Sequence, residues 1–257
     1  MELLFLALAA LMAGFVDAVA GGGGLIQVPA LLAVLPEETP AVLFGTNKGA
    51  SVSGSLNAAW RYGRKIAIPW KQVVLPATGA ALVFSFLGAA AVAWLSKDVM
   101  RPLVLILMVA VLIYTLLKPD FGKIHGNMPE NPLWPSLFVG GLIGFYDGFF
   151  GPGTGSFLIF AFIRFFGFDF LRASVCAKVV NVATNVAALT FFIPHGQIIW
   201  KLALIMAICN VAGSTLGSRL ALKHGAGFVR LVFLLVTTGL MFKIGFDTFF
   251  WPDGIIH

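Results

Sequence analysis

Apolar positions in this chain fall in long blocks, not in the short alternations of a soluble domain. Apolar stretches cover residues 2–20, 41–60, 70–96 and 99–118, and the plan resumes at 133. Blocks near or above about 18 residues read as membrane-spanning helices. Between the first two lies a shorter apolar segment, 24–36, preceded by the glycine run 21–24. It is too short to cross a core of about 30 Å at about 1.5 Å per residue. The first block and this short segment therefore read as a broken hairpin that enters and returns. The block at 3–20 could imitate a signal peptide, but it lacks a basic leading region and recurs at 133–150, so it belongs to the fold.

The second half copies the first. At an offset of 130, Gly14, Phe15, Asp17, Gly21, Gly23, Lys48, Trp70 and Lys71 meet Gly144, Phe145, Asp147, Gly151, Gly153, Lys178, Trp200 and Lys201. At 129, Leu87, Gly88 and Arg101 meet Leu216, Gly217 and Arg230. The predicted fold class is an all-α polytopic membrane protein. It forms a single membrane domain, 1–257, made of repeat one (1–118), a linker with three prolines (119–132) and repeat two (133–257). Each repeat is a broken, re-entrant helical hairpin plus three transmembrane helices. Three crossings are an odd number, so the repeats are expected to be inverted.

Charge supports that expectation. The loop 61–71 holds Arg61, Arg64, Lys65 and Lys71 and no acid, against Lys201 alone in its counterpart 193–201. The loop 36–40 holds Glu37 and Glu38, against Arg164, Arg172 and Asp169 in 164–172. The loop 219–230 holds Arg219, Lys223 and Arg230, against Lys97, Asp98 and Arg101. The richer members share one side only if the halves are inverted, and the positive-inside rule makes that side the cytoplasm. Both termini then lie outside.

Composition agrees: 59% of residues are hydrophobic, 11% are charged, and mean hydropathy is +0.96, where soluble domains carry about 25% charge. The net charge of +6 belongs to short loops and does not signal nucleic-acid binding. Cys176 and Cys209 lie in apolar segments and match no metal or redox spacing. The four histidines form no HExxH-type pair, GPGTGS lacks the lysine of a phosphate loop, and no G-x-S-x-G is present. No catalytic residue, metal or cofactor is expected.

The candidate chemistry sits at the breaks. Residues 14–24 read GFVDAVAGGGG and 144–154 read GFYDGFFGPGT. Glycine costs about 1 kcal/mol relative to alanine inside a helix, and Pro152 adds a stronger break. Unwound backbone at membrane depth is tolerated where protein buries it or it lines a cavity. The helices that follow offer positive N-termini to an anion, and broken helices at matching places in two repeats point to a transporter's substrate site. Gly22, Gly23, Gly24, Gly153, Thr154 and Gly155 are the candidates there. The plainer reading is that these glycines only let helices pack closely.

Thirty-one residues after each aspartate stands a lysine, Lys48 or Lys178. Lys178, Asn181 and Asn185 share one helical face, as do Lys48, Ser51 and Ser55, with Asn47 beside them. A lysine at membrane depth faces a cavity or a partner; snorkelling is the alternative. Lys48, Lys178, Asn47, Ser51, Asn181 and Asn185 are therefore candidate substrate contacts, and their sign favours an anion. Asp17 and Asp147 are either coupling or structural acids.

The stretches AGFVDAVAGGGGLIQVPALL with TNK, and GFYDGFFGPGTGSF with AKVVN, resemble the TauE/SafE family of sulfite exporters over nearly the full chain. The resemblance implies a multi-pass bacterial inner-membrane transporter that moves sulfite or a small organosulfur anion such as a sulfonate. Expected partners are that small anion and the lipid bilayer; no nucleic acid is expected, and a homo-oligomer is admitted. The competing readings are a passive anion channel, an intramembrane enzyme using Asp17 and Asp147 as a carboxylate pair, and a cation carrier, which the lysines oppose.

Overall fold

A computed structural model describes residues 1–94, Ile106 and 128–250, the last stretch as backbone only after Gly225 except at Phe228. The expected span 99–118, apart from Ile106, and residues 119–127 of the linker lie outside the described residues. Every described element is a helix: α1 (Glu2–Ala20), α2 (Gly24–Val34), α3 (Pro40–Gly63), a π-helical turn (Trp70–Val74) leading into α4 (Leu75–Ala93), α5 (Leu133–Phe149), α6 (Thr154–Phe166), α7 (Phe170–Phe192) and α8 (Trp200–Phe250). Gly225, at φ 73° and ψ −165°, breaks α8.

Among the described residues, four stretches are long and apolar enough to cross a membrane: Glu2–Ala20, Trp70–Val92, Phe170–Phe192 and Trp200–Gly225. At 24 residues, α3 has the length, but the polar stripe from Thr46 to Asn57 lowers its hydropathy. At 11 and 13 residues, α2 and α6 are the short apolar helices expected after each break.

Local chemistry sets the helix starts. Thr39 caps α3 by accepting from Val42 N, with Pro40 opening the first turn. Asp169, at the matching position, caps α7 by accepting from the Leu171 and Arg172 amides at 3.0 and 2.9 Å. Asp169 is thus a cap as well as a loop charge, and both caps place a lysine nine residues further on.

The helices of the two halves interleave. Against α8 packs α1, and against α4 packs α5, while α3 lies between α7 and α8. Small residues permit the close approach. A Cβ at Gly14 would overlap the Asn210 backbone, and one at Gly144 would overlap Ala81. Gly14 and Gly144 match at 130, and Ala81 and Asn210 at 129. The same pairing recurs in hydrogen bonds: Ser85 Oγ donates to Thr184 O at 2.8 Å, and Ser214 Oγ donates to Gly54 O at 2.6 Å. Contacts of one half are thus mirrored by contacts of the other.

Candidate functional site

The two breaks meet. Gly21 ends α1 at φ 80°, a left-handed conformation that favours glycine. Its carbonyl accepts from Ser156 N at 3.2 Å, and Ser156 Oγ donates to Ala20 O at 2.9 Å. A Cβ at Gly21 would overlap Gly155, and one at Gly155 would overlap Gly21. The chain touches backbone to backbone here because neither residue carries a side chain.

Around this contact the four charges pair across the halves. Lys48 Nζ lies 2.6 Å from Asp147 Oδ2, and Lys178 Nζ lies 2.8 Å from Asp17 Oδ2. Each lysine therefore faces the aspartate of the other half. The ion pairs bring two opposite charges together in a low-dielectric interior, where an isolated charge is prohibitive. Ser55 Oγ also donates to Asp17 Oδ2, at 3.0 Å. Gly151, at φ 92°, leaves room for the Lys48 ammonium: a Cβ there would stand 3.1 Å from Nζ and 3.3 Å from Asp147 Oδ1. The lysines and Asp147 are at most 3% exposed, whereas the Asp17 side chain is 14% exposed. Of the two carboxylates, Asp17 is the more accessible.

A polar cavity of about 20 Å³ lies between the pairs, about enough for one water molecule. Its walls bring together Asp17, Gly23, Gly24, Asn47, Lys48, Ser51, Asp147, Gly155, Asn181 and Asn185 from the expected set. Lys178 stands behind this wall through Asp17. Gly22, Gly153 and Thr154 do not line it: Gly153 turns the chain at φ 83°, and Thr154 Oγ1 donates to Gly151 O at 2.7 Å. The helix N-termini are partly engaged already. The amides of Leu25, Ile26 and Gln27 donate to Gly22 and Gly23 carbonyls, and Ser156 N to Gly21. Asn185 Nδ2 donates to Asn181 Oδ1 at 2.7 Å, while the buried Asn47 Oδ1 has no hydrogen-bond partner.

Four lining residues fall outside the expected set: Gly21, Gly151, Ser55 and Asn210. Gly21 and Gly151 were visible as a matched pair, and Ser55 as the counterpart of Asn185. Asn210 donates to Gln27 Oε1 at 3.0 Å, leaving the buried Gln27 Nε2 without a partner. Its only sequence signal is one amide inside an apolar helix.

A helical bundle with several membrane-length helices and a buried, charged, water-poor centre is a multi-pass membrane protein of transporter type. The family model described as "Sulfite exporter TauE/SafE" matches residues 6–244, and the chain belongs to that family. It is similar to "Probable membrane transporter protein ORF9" of Sinorhizobium sp, at 36% identity over 94% of this chain and 92% of the relative. "Probable membrane transporter protein YfcA" of Escherichia coli strain K12 is 35% identical over 93% of this chain and 88% of the relative. A "Probable membrane transporter protein" of Haemophilus influenzae is 33% identical over 92% and 91%. No solved structure matches the chain. The family and these relatives are membrane transporters and not enzymes.

Proposed function

We propose that the chain is a secondary transporter for a small anion, sulfite or an organosulfur anion such as a sulfonate, working by alternating access between two inverted halves. The observation that carries this reading is the crossed pairing of Lys48 with Asp147 and of Lys178 with Asp17 where the two breaks meet.

The pairing heights support inversion. Lys48 stands eight residues beyond the start of α3, about 12 Å at the helical rise, and Asp147 stands about 21 Å beyond the start of α5. If α3 and α5 started on the same side, these depths would differ by about 9 Å, too far for the observed contact. Started from opposite sides, they add to about 33 Å, close to the thickness of a bilayer core. Lys178 and Asp17 give about 12 and 22 Å, the same sum within a residue. Ser55 and Asp17 both lie about 22 Å along α3 and α1. Their hydrogen bond is what two helices entering from one side would make, with α2 returning between them.

In this reading the aspartates hold the places a substrate anion takes. The centre carries two positive and two negative groups, so a bound monoanion, hydrogen sulfite or a sulfonate, adds one negative charge that a proton on one aspartate neutralises, whereas the sulfite dianion requires a proton on each. Protonation of Asp17 or Asp147 releases its lysine to the anion and loosens one of the two ties between the halves. With room for about one water, the centre is closed to a sulfite ion, which favours a carrier over an open channel. The test is anion flux in proteoliposomes. Sulfite or sulfonate uptake should follow an imposed proton gradient and vanish in Lys48→Gln and Lys178→Gln. Undiminished flux in both folded variants would remove the site.

A further inference from the structure

A second cavity, of about 790 Å³, opens where the end of α3 meets α8. It is lined by Trp60, Arg61, Arg64 and Lys65 from the first half and by Arg219, Leu222 and Lys223 from the second. Five cations line it with no acid, and among the described residues no carboxylate pairs with any of them. Like charges gathered in one pocket repel, so the arrangement favours an anion to share.

Two of the cations are held in place. The Arg64 guanidinium stacks over the Trp60 ring, 5.0 Å from its centroid. Arg61 Nε donates to Asn57 Oδ1 at 3.2 Å, and Asn57 Nδ2 in turn donates to Thr215 Oγ1 on α8 at 2.9 Å. The walls are amphipathic as well. Trp60 is 57% exposed, and one turn deeper in the membrane direction Leu56 on α3 and Leu216 on α8 are 56% and 50% exposed. Cations above an exposed apolar strip, flanked by an interfacial tryptophan, match a lipid molecule: phosphate at the top, acyl chains below. A free phosphate ion has no use for the strip.

We propose that this cavity is a binding site for the phosphodiester head group of an anionic phospholipid in the cytoplasmic leaflet, where the bound lipid ties α3 to α8. The site is separate from the central ion pairs. Protein purified in a neutral detergent tests it, by thermal unfolding and by native mass spectrometry with phosphatidylglycerol, phosphatidylcholine or inorganic phosphate added. Phosphatidylglycerol should raise the unfolding temperature and remain bound, and the other two should do neither. Arg64→Gln/Arg219→Gln should bind phosphatidylglycerol roughly thirtyfold more weakly, since each cation near an anionic lipid surface contributes about a fivefold step. Should that variant fail to fold, the salt response of the unaltered protein decides: the preference for phosphatidylglycerol should shrink as ionic strength rises. The proposal is overturned if phosphatidylcholine matches phosphatidylglycerol, if inorganic phosphate alone reproduces the shift, if the folded variant keeps full affinity, or if the preference ignores salt.

Discussion

Lys48 and Asp147 are each almost without solvent, so the stability of either depends on the other. Removing one member of such a pair leaves an uncompensated buried charge and typically costs about 3–5 kcal/mol, whereas replacing both is often neutral. Lys48→Gln and Asp147→Asn should therefore each lower the unfolding temperature strongly, and the double variant should recover most of the loss. Transport should stay absent in the double variant, because the cation proposed to meet the substrate is missing; recovered flux would make the pair merely structural. Asn210 gives a second residue-scale outcome. Asn210→Leu strips the buried Gln27 of its donor and should cost about 1–3 kcal/mol, read as a lower unfolding temperature. The duplication made the aspartates, the lysines and the Asn181–Asn185 stripe legible, because unlike residues recur at one offset. It was silent on Asn210 and Gln27, whose counterparts are the apolar Ala81 and Phe157. Nor does a one-dimensional repeat say which lysine meets which acid; only the meeting of the halves crosses them.

At the scale of the element, the breaks and the close helix pairs depend on glycine for different reasons. Gly21 requires a left-handed backbone and lies against Gly155 with no space for a Cβ. Gly21→Ala carries roughly 1–2 kcal/mol from the backbone conformation alone, and overlap with the other hairpin adds to it. The expected result is a folded but poorly transporting protein or a marked fall in unfolding temperature, with Gly79→Ala as the control. Gly79 lies inside α4, and nothing stands within 4 Å of the place a Cβ would take there. Alanine at that position should be neutral or stabilising by up to about 1 kcal/mol. Equal damage from both would remove the hairpin contact as the cause. The short helices after each break were legible from length alone. The engagement of Ser156 N by the Gly21 carbonyl was not, since it depends on where the other break lies.

For the whole molecule, the proposed inversion has consequences at the surface as well as at the centre. If α1 and α3 start outside, the end of α3 and the break of α8 at Gly225 share the cytoplasmic face with the returning end of α6. That face then gathers Arg61, Arg64, Lys65, Arg164, Arg219 and Lys223, while Glu37 and Glu38 lie opposite. A parallel arrangement would split the basic ends between the two faces and break the positive-inside pattern. Single cysteines read the difference directly, once Cys176 and Cys209 are replaced by alanine. Lys65→Cys, Arg164→Cys and Lys223→Cys should all resist a membrane-impermeant thiol reagent in intact cells and react after permeabilisation. Glu38→Cys should react in intact cells. The decisive position is Arg164, because α6 is too short to cross and its end reports which side its hairpin enters from. Labelling at 164 and 38 from the same side would make the halves parallel, and the matched depths of Lys48 and Asp147 would then need a strong helix tilt to survive.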